Sequence, residues 1–371
     1  MRKIIFSIIG IFFSSLLTLL VIEIILRFFP VNEGLRAISV NSNSPVFKFQ
    51  SNRVAQYSKN WNFDIKNKVS VNNDGFINNL NYDNKSDSLL LSLIGDSYIE
   101  ALMVPFKQTV TSILQQNSDD KRVYSFAASG AGLSQHLIWA KYAKHKFNSD
   151  YFVFFIISND FAESLADYEV SPGFHRFKRK EENKWEMELA EYSPSLTRRV
   201  LRHSRLAMYL ITNLKVQSLL NLDLKLGRND ERITYVSNFR SDFNKKFWSD
   251  ATWATKVYLD NVKNFTNVSE KNILFVIDGI RPELYNNKNN KEIEKSFWYL
   301  IRKFFIQEAK KRKFEVIDMQ EKFISHYKNN REKFEFLTDS HWNQTGHKVV
   351  ADSVQETNLW KNFRYDKNIF P

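Results

Sequence analysis

Leu89-Leu90-Leu91-Ser92-Leu93-Ile94-Gly95-Asp96-Ser97-Tyr98 is the stretch on which the fold turns. A run this short, apolar but for Ser92 and without polar alternation, predicts a strand buried on both faces, as in a parallel sheet. Gly95 ends the run, and the residues after it can open a helix. The same texture returns along the chain at Arg122 to Phe126, Tyr151 to Ile157, Ile273 to Ile277 and Phe314 to Ile317. Between these runs, Ser97 to Gln116, Ser134 to Phe147 and Ile293 to Arg312 carry apolar residues at three- and four-residue spacing, the period of a helix. Strand and helix therefore alternate, which predicts an α/β chain: a three-layer, doubly wound sheet of about five parallel strands. From Asn159 to Asn272 no strand is evident. That stretch holds the basic, aromatic run Phe174 to Lys180 and the helix-like Leu196 to Leu220, and predicts a helical insertion over about 162–270. An insertion after the third strand projects from the sheet edge where ligands bind.

Upstream, Arg2 and Lys3 precede an uncharged apolar run from Ile4 to Ile22, followed by Glu23, Arg27 and Pro30. About twenty helical residues cover the roughly 30 Å hydrocarbon core, so residues 1–30 are expected to form a transmembrane anchor. A cleaved signal peptide is the competing reading, but no small-x-small cleavage site follows. Basic residues before the span favour a cytoplasmic N-terminus and an extracytoplasmic remainder, while Arg27 and Arg36 weigh the other way. Residues 31–86, rich in Asn, Ser and Lys, read as a stalk and small cap, and 87–371 as the catalytic domain. The 53 Lys and Arg against 41 Asp and Glu leave a net charge of +12, which favours an acidic partner. An extracytoplasmic domain excludes nucleic acid from that role. With no cysteine, there is no disulfide, thiolate metal site or Cys nucleophile.

Three places carry candidate chemistry. Ser97, where a buried strand meets a helix, would present its hydroxyl at a sharp turn. It also fits the Ser-x-x-Glu capping box with Glu100, in which the hydroxyl only satisfies an orphan N–H. Near the C-terminus, Asp339-Ser340-His341-Trp342-Asn343 puts a carboxylate and an imidazole on one loop before a helix capped by Asn343 or Thr345. A serine nucleophile needs that pair, the imidazole as base and the carboxylate to fix its tautomer. His347 is the rival base, but its place at the helix start suggests a structural role. A metal site on Asp339, His341 and His347 lacks further ligands. Finally, Ser129-Gly130-Ala131-Gly132 and Ser158-Asn159-Asp160 follow the second and third strands. A Gly N–H and an Asn amide can stabilise an oxyanion, though both residue types are also ordinary loop chemistry.

The order Ser, Gly, Asn, Asp-x-His across successive strand ends resembles the SGNH hydrolases, also called the GDSL family, from about Leu89 to Val354. The resemblance implies a flavodoxin-like sheet, Ser97 as nucleophile, Asp339 and His341 as orienter and base, and Ser97, Gly130 and Asn159 as the oxyanion hole. It implies no cofactor. The spacing departs from many members in having the acid two residues before His and Ile157 two before Asn159, variations that resemble membrane-anchored, polysaccharide-modifying members. Val69 to Phe76 is similar to the stretch preceding the domain in single-span bacterial relatives. The expected activity is an ester hydrolase or O-acyl transferase on a cell-surface or secreted glycan, outside the inner membrane. A phospholipid or other lipid ester hydrolase and a non-catalytic scaffold of glycan assembly are the alternatives.

Overall fold

A computed structural model of the chain describes residues 2–168, 171–181, 184–216, 235–236, 239–240, 242–285 and 293–365. It opens with α1 (Arg2–Leu26), a helix of 25 residues and mean hydropathy 2.6 whose most apolar stretch is not buried in the protein at all. That helix is long and apolar enough to cross a bilayer. Next comes the antiparallel hairpin β1 (Arg53–Lys59) and β2 (Ile65–Val71), with Arg53 opposite Val71. The connection back to the domain is a tight turn. Asn72 Oδ1 accepts the N–H groups of Asp74 and Phe76, each at 3.0 Å, and Gly75 takes φ +90° under the Phe49 carbonyl. Asp74 is held in turn by Lys48, Lys146 and Tyr142, the last at 2.8 Å, so residues 31–86 lie tied to the domain.

The domain then alternates as the apolar runs predict: β3 (Leu90–Gly95), α2 (Ser97–Glu100), α3 (Val110–Gln116), β4 (Arg122–Ala127), α4 (Leu133–Phe147) and β5 (Tyr151–Ile156). After a second hairpin, β6 (His175–Arg179) and β7 (Trp185–Leu189), follow α5 (Lys245–Thr266), β8 (Ile273–Ile277), α6 (Phe297–Lys311) and β9 (Glu315–Asp318). The chain closes with α7 (Met319–Asn330), α8 (Gln344–Gln355) and α9 (Asn358–Tyr365). The five sheet strands are parallel and ordered β9-β8-β5-β3-β4. Both faces are covered. Phe152, Phe154 and Ile156 of β5 face the layer of α4, α5 and α6, while Tyr151, Val153 and Phe155 face α3, α7, α8 and α9. That two-sided burial is why these strands read as unbroken apolar runs, each large side chain contributing about 1.5–3 kcal/mol.

Two elements differ from the sequence reading. The helix predicted over Ser97 to Gln116 breaks after one turn, because Ala101 adopts φ +50° and Pro105 starts a separate turn before α3. The stretch expected to be helical from 162 to 270 also contains a hairpin: the basic run at Phe174 to Lys180 is largely β6, with Phe177 buried against the domain. Its end, α5, packs on α4 as the crossover helix between β5 and β8. Leu196 to Leu220 begins as helix at Leu196–Leu201 and Arg205–Met208, and residues 217–220 lie outside the described residues.

Candidate active site

A side chain at Gly95 would meet Ile99 Cγ1 at 2.6 Å, so β3 can turn directly into α2 only with glycine there. The cap of α2 is Asp96, whose Oδ1 accepts the Tyr98 N–H at 2.9 Å. Ser97 is thus the first helical residue and not the cap. Glu100 does not close a capping box either, since it binds the N–H of Ser129 at 3.0 Å and the Ser129 hydroxyl. Freed from backbone duty, Ser97 Oγ lies 2.7 Å from His341 Nε2. The other ring nitrogen, Nδ1, lies 2.5 Å from Asp339 Oδ1, which also accepts the His341 N–H at 2.9 Å. Lys59 donates to Asp339 Oδ2.

Burial alone would raise the Asp339 carboxyl, but the bonds from His341 and Lys59 hold it well below the ordinary range, as a carboxylate. A carboxylate on Nδ1–H fixes the tautomer that leaves Nε2 as acceptor for the Ser97 proton. Ser97 closely follows β3 and Asn159 follows β5, and these two neighbouring strands lie where the strand order reverses, since the chain leaves β3 for β4 on one side and crosses to β5 on the other. A doubly wound sheet opens a crevice for ligands at that point.

Asn159 joins the relay through Asp96, whose Oδ2 accepts from the Ser97 hydroxyl at 3.3 Å and lies 3.4 Å from Asn159 Nδ2, which also donates to Glu163 at 2.9 Å. The Asp96 carboxyl is buried, which raises its pKa. Gly130 takes φ +86°, a conformation that favours glycine, next to the Ser129 that Glu100 ties to α2. Gly132 has a different task. It precedes α4, and a Cβ there would fall 2.5 Å from the Asp160 carbonyl. His347 is buried in α8, accepts the Val110 N–H on Nδ1 at 3.3 Å, and is pushed down to about 3 by burial. It packs edge-on to Trp342 and does not meet Ser97. The structure therefore brings Ser97, His341 and Asp339 into one hydrogen-bonded chain, with Asn159 beside it and Gly130 on an adjoining loop.

No protein-family model and no curated protein matches the chain. Among solved structures it is similar to the acetyl xylan esterase AlAXEase at 11% identity and TM-score 0.40, covering 72% of this chain and 98% of that one. A lipolytic G-D-S-L family member from Veillonella parvula DSM 2008 matches at 12% identity and TM-score 0.36, covering 73% and 98%. TesA matches at 11% identity and TM-score 0.36, covering 71% and 95%. Likeness of this degree says nothing of substrate.

Two supports of the relay are absent from the sequence reading. Lys59 reaches Asp339 from β1, 280 positions away, and no local pattern marks it. The second is a buried polar knot under the Asp339–His341 loop. Arg281 Nη1 donates to Asp278 Oδ1 at 2.7 Å and Oδ2 at 2.6 Å, and Arg281 Nη2 reaches the Ser340 carbonyl at 2.7 Å and the Tyr98 hydroxyl at 2.9 Å. Trp342 Nε1 donates to the same Asp278 at 3.0 Å. Asp278 stands directly after β8, at the sheet edge that carries Ser97 and Asn159, and that placement was its one legible signal.

Proposed function

We propose that this chain is a membrane-anchored serine esterase or O-acyl transferase acting on a short acyl ester, acetyl foremost, of a cell-surface or secreted glycan outside the inner membrane. The observation that carries the reading is the Ser97 hydroxyl, which is not used as a cap and bonds an imidazole backed by a buried carboxylate. As Ser97 Oγ attacks the ester carbonyl carbon, His341 Nε2 takes the hydroxyl proton. The oxyanion faces the N–H groups of Ser97 and Gly130 and the Asn159 amide, which turns from Glu163 toward substrate. Collapse breaks the bond to the sugar oxygen, which leaves with the proton from His341. Water or a second sugar hydroxyl then attacks the acyl-enzyme and restores Ser97. The positive net charge of +12 favours an acidic partner, which an acidic polysaccharide supplies.

The test is labelling of the full chain in detergent with a fluorophosphonate, together with hydrolysis of p-nitrophenyl acetate. Wild type is expected to carry one label on Ser97, and Ser97→Ala or His341→Ala to lower hydrolysis by about three to six orders of magnitude. Absence of label from Ser97 in folded protein overturns the proposal. A lipid ester is the second reading, favoured by a cleft of about 950 Å³ that runs from Leu210 and Ile211 to Ser129. Cleavage of micellar esters far faster than soluble ones would select it.

A further inference from the structure

Five arginines line one cavity of about 520 Å³ at the end of α1: Arg27, Arg36, Arg53, Arg202 and Arg205. The acidic residue in its wall is Glu33, which Arg205 Nη2 binds at 2.7 Å and Arg53 Nη2 approaches at 3.5 Å. Arg36 Nε is buried and has no hydrogen-bond partner among the described residues. Burial, and after it the neighbouring Arg36 and Arg202 charges, lower the pKa of Arg53, and burial likewise lowers that of Arg202. Arg27 Nε also pairs with Glu23 at 3.3 Å, and five cations around two carboxylates still repel one another unless an anion joins them. Guanidinium forks match phosphate oxygens in pairs, which a point charge does not.

The position of the cavity suggests where the anion comes from. Arg27 follows α1 directly, and Glu23 of α1 accepts the N–H groups of Arg205 at 3.0 Å and Leu206 at 2.8 Å, which fixes the arginine wall at the end of the apolar helix. We propose that this cavity binds the phosphate of an anionic lipid headgroup from the bilayer that α1 enters, an inference that rests on the reading of α1 as a membrane anchor. Basic side chains at a membrane face attract such headgroups, and a cavity that seats one adds geometry to that attraction. The lipid would hold the domain at a set height and orientation, with Arg202 shared between this cavity and the cleft that ends at Ser129.

The experiment uses the full chain in a neutral detergent, with dihexanoyl-phosphatidylglycerol, dihexanoyl-phosphatidylcholine and inorganic phosphate as probes, read by native mass spectrometry and the thermal midpoint. Phosphatidylglycerol is expected to be retained and to raise the midpoint, phosphatidylcholine to do neither, and Arg36→Gln with Arg202→Gln to weaken phosphatidylglycerol binding at least about tenfold. Arg364→Gln, on the distant α9, is the control and binds as wild type. Circular dichroism establishes that each variant is folded, and Arg36→Lys, which keeps the charge and loses the fork, is expected to fall between wild type and the double variant. Equal binding of the two lipids, or undiminished binding by the folded double variant, overturns the proposal. Inorganic phosphate binding as tightly as phosphatidylglycerol overturns the lipid source and leaves a free-anion site. Recovery of the chain in the soluble fraction of cells without detergent overturns the anchor reading itself, separately from the arginine site.

Discussion

Lys59 decides how strongly Asp339 acts on His341. The ammonium shares Asp339 with the imidazole and so weakens the pull of the carboxylate on the imidazolium form. Lys59→Met removes that competition and leaves the carboxylate wholly to the imidazole. The triad itself stays complete, so hydrolysis of p-nitrophenyl acetate is expected to fall by far less than in His341→Ala. A loss as large as that of His341→Ala would mean that Lys59 is needed to hold the Asp339–His341 loop in place. Glu100 makes a second residue-level case. Burial, only partly offset by its bonds from Ser129, raises its carboxyl from 4.5 to about 7. An unfolded Glu ionises first as pH rises, so stability falls between pH 4.5 and 7 and levels off above. The loss is roughly 3 kcal/mol. Glu100→Gln keeps an acceptor for Ser129 without the titration, and urea unfolding at pH 4.5 and 7.5 should show a drop in wild type that the variant lacks. Equal drops in both proteins would place the titration elsewhere.

At the scale of elements, the relay depends on a loop held from below. Asp278 and Arg281 lie between β8 and α6, each about 3% exposed, and together they grip Tyr98, Ser340 and Trp342 on either side of the Ser97–His341 contact. Asp278→Ala leaves Arg281 only the more distant Glu335, 3.4 Å from Nε, and is expected to cost about 3 kcal/mol. Turnover should fall through kcat while KM holds, and Asp278→Asn, which keeps an acceptor for Trp342, should recover part of it. Loss confined to KM would assign the pair to substrate binding instead. The same elements show what was legible in the sequence. β3, β4, β5 and β8 were readable because burial on both faces erases polar alternation, and Ser97, Asn159 and the Asp339–His341 loop because each sits at a strand end or before a helix cap. The break at Ala101 was not, since alanine carries no local signal for a positive φ. The hairpin β6–β7 was masked by charge: Arg176, Lys178 and Arg179 pair across it with Glu188 or reach Asp250, contacts that exist only once the strands are formed. Lys59 was beyond local reading altogether.

For the whole molecule, the first helix is not a detachable tether. Glu23 accepts the N–H groups of Arg205 and Leu206 and the Ser204 hydroxyl at 2.8 Å, so α1 supplies a cap to a helix of the domain. Leu26 and Val31 are buried with Met208, beside Phe63 and Tyr209. A chain cut before Glu23 keeps the cap and the buried cluster while losing the exposed apolar turns. A chain cut before Val31 loses the Glu23 acceptor and Leu26 and leaves the N-terminal amides of Arg205–Met208 without that partner. Loss of a helix cap and one buried aliphatic side chain amounts to about 2–5 kcal/mol, against a total stability of roughly 5–15 kcal/mol for a domain. The shorter chain is therefore expected to unfold at lower urea with an unchanged slope, and to lose hydrolysis first in the range where Arg205–Met208 opens. Coincident unfolding curves for the two truncations would mean that the end of α1 only rests against the domain and does not brace it.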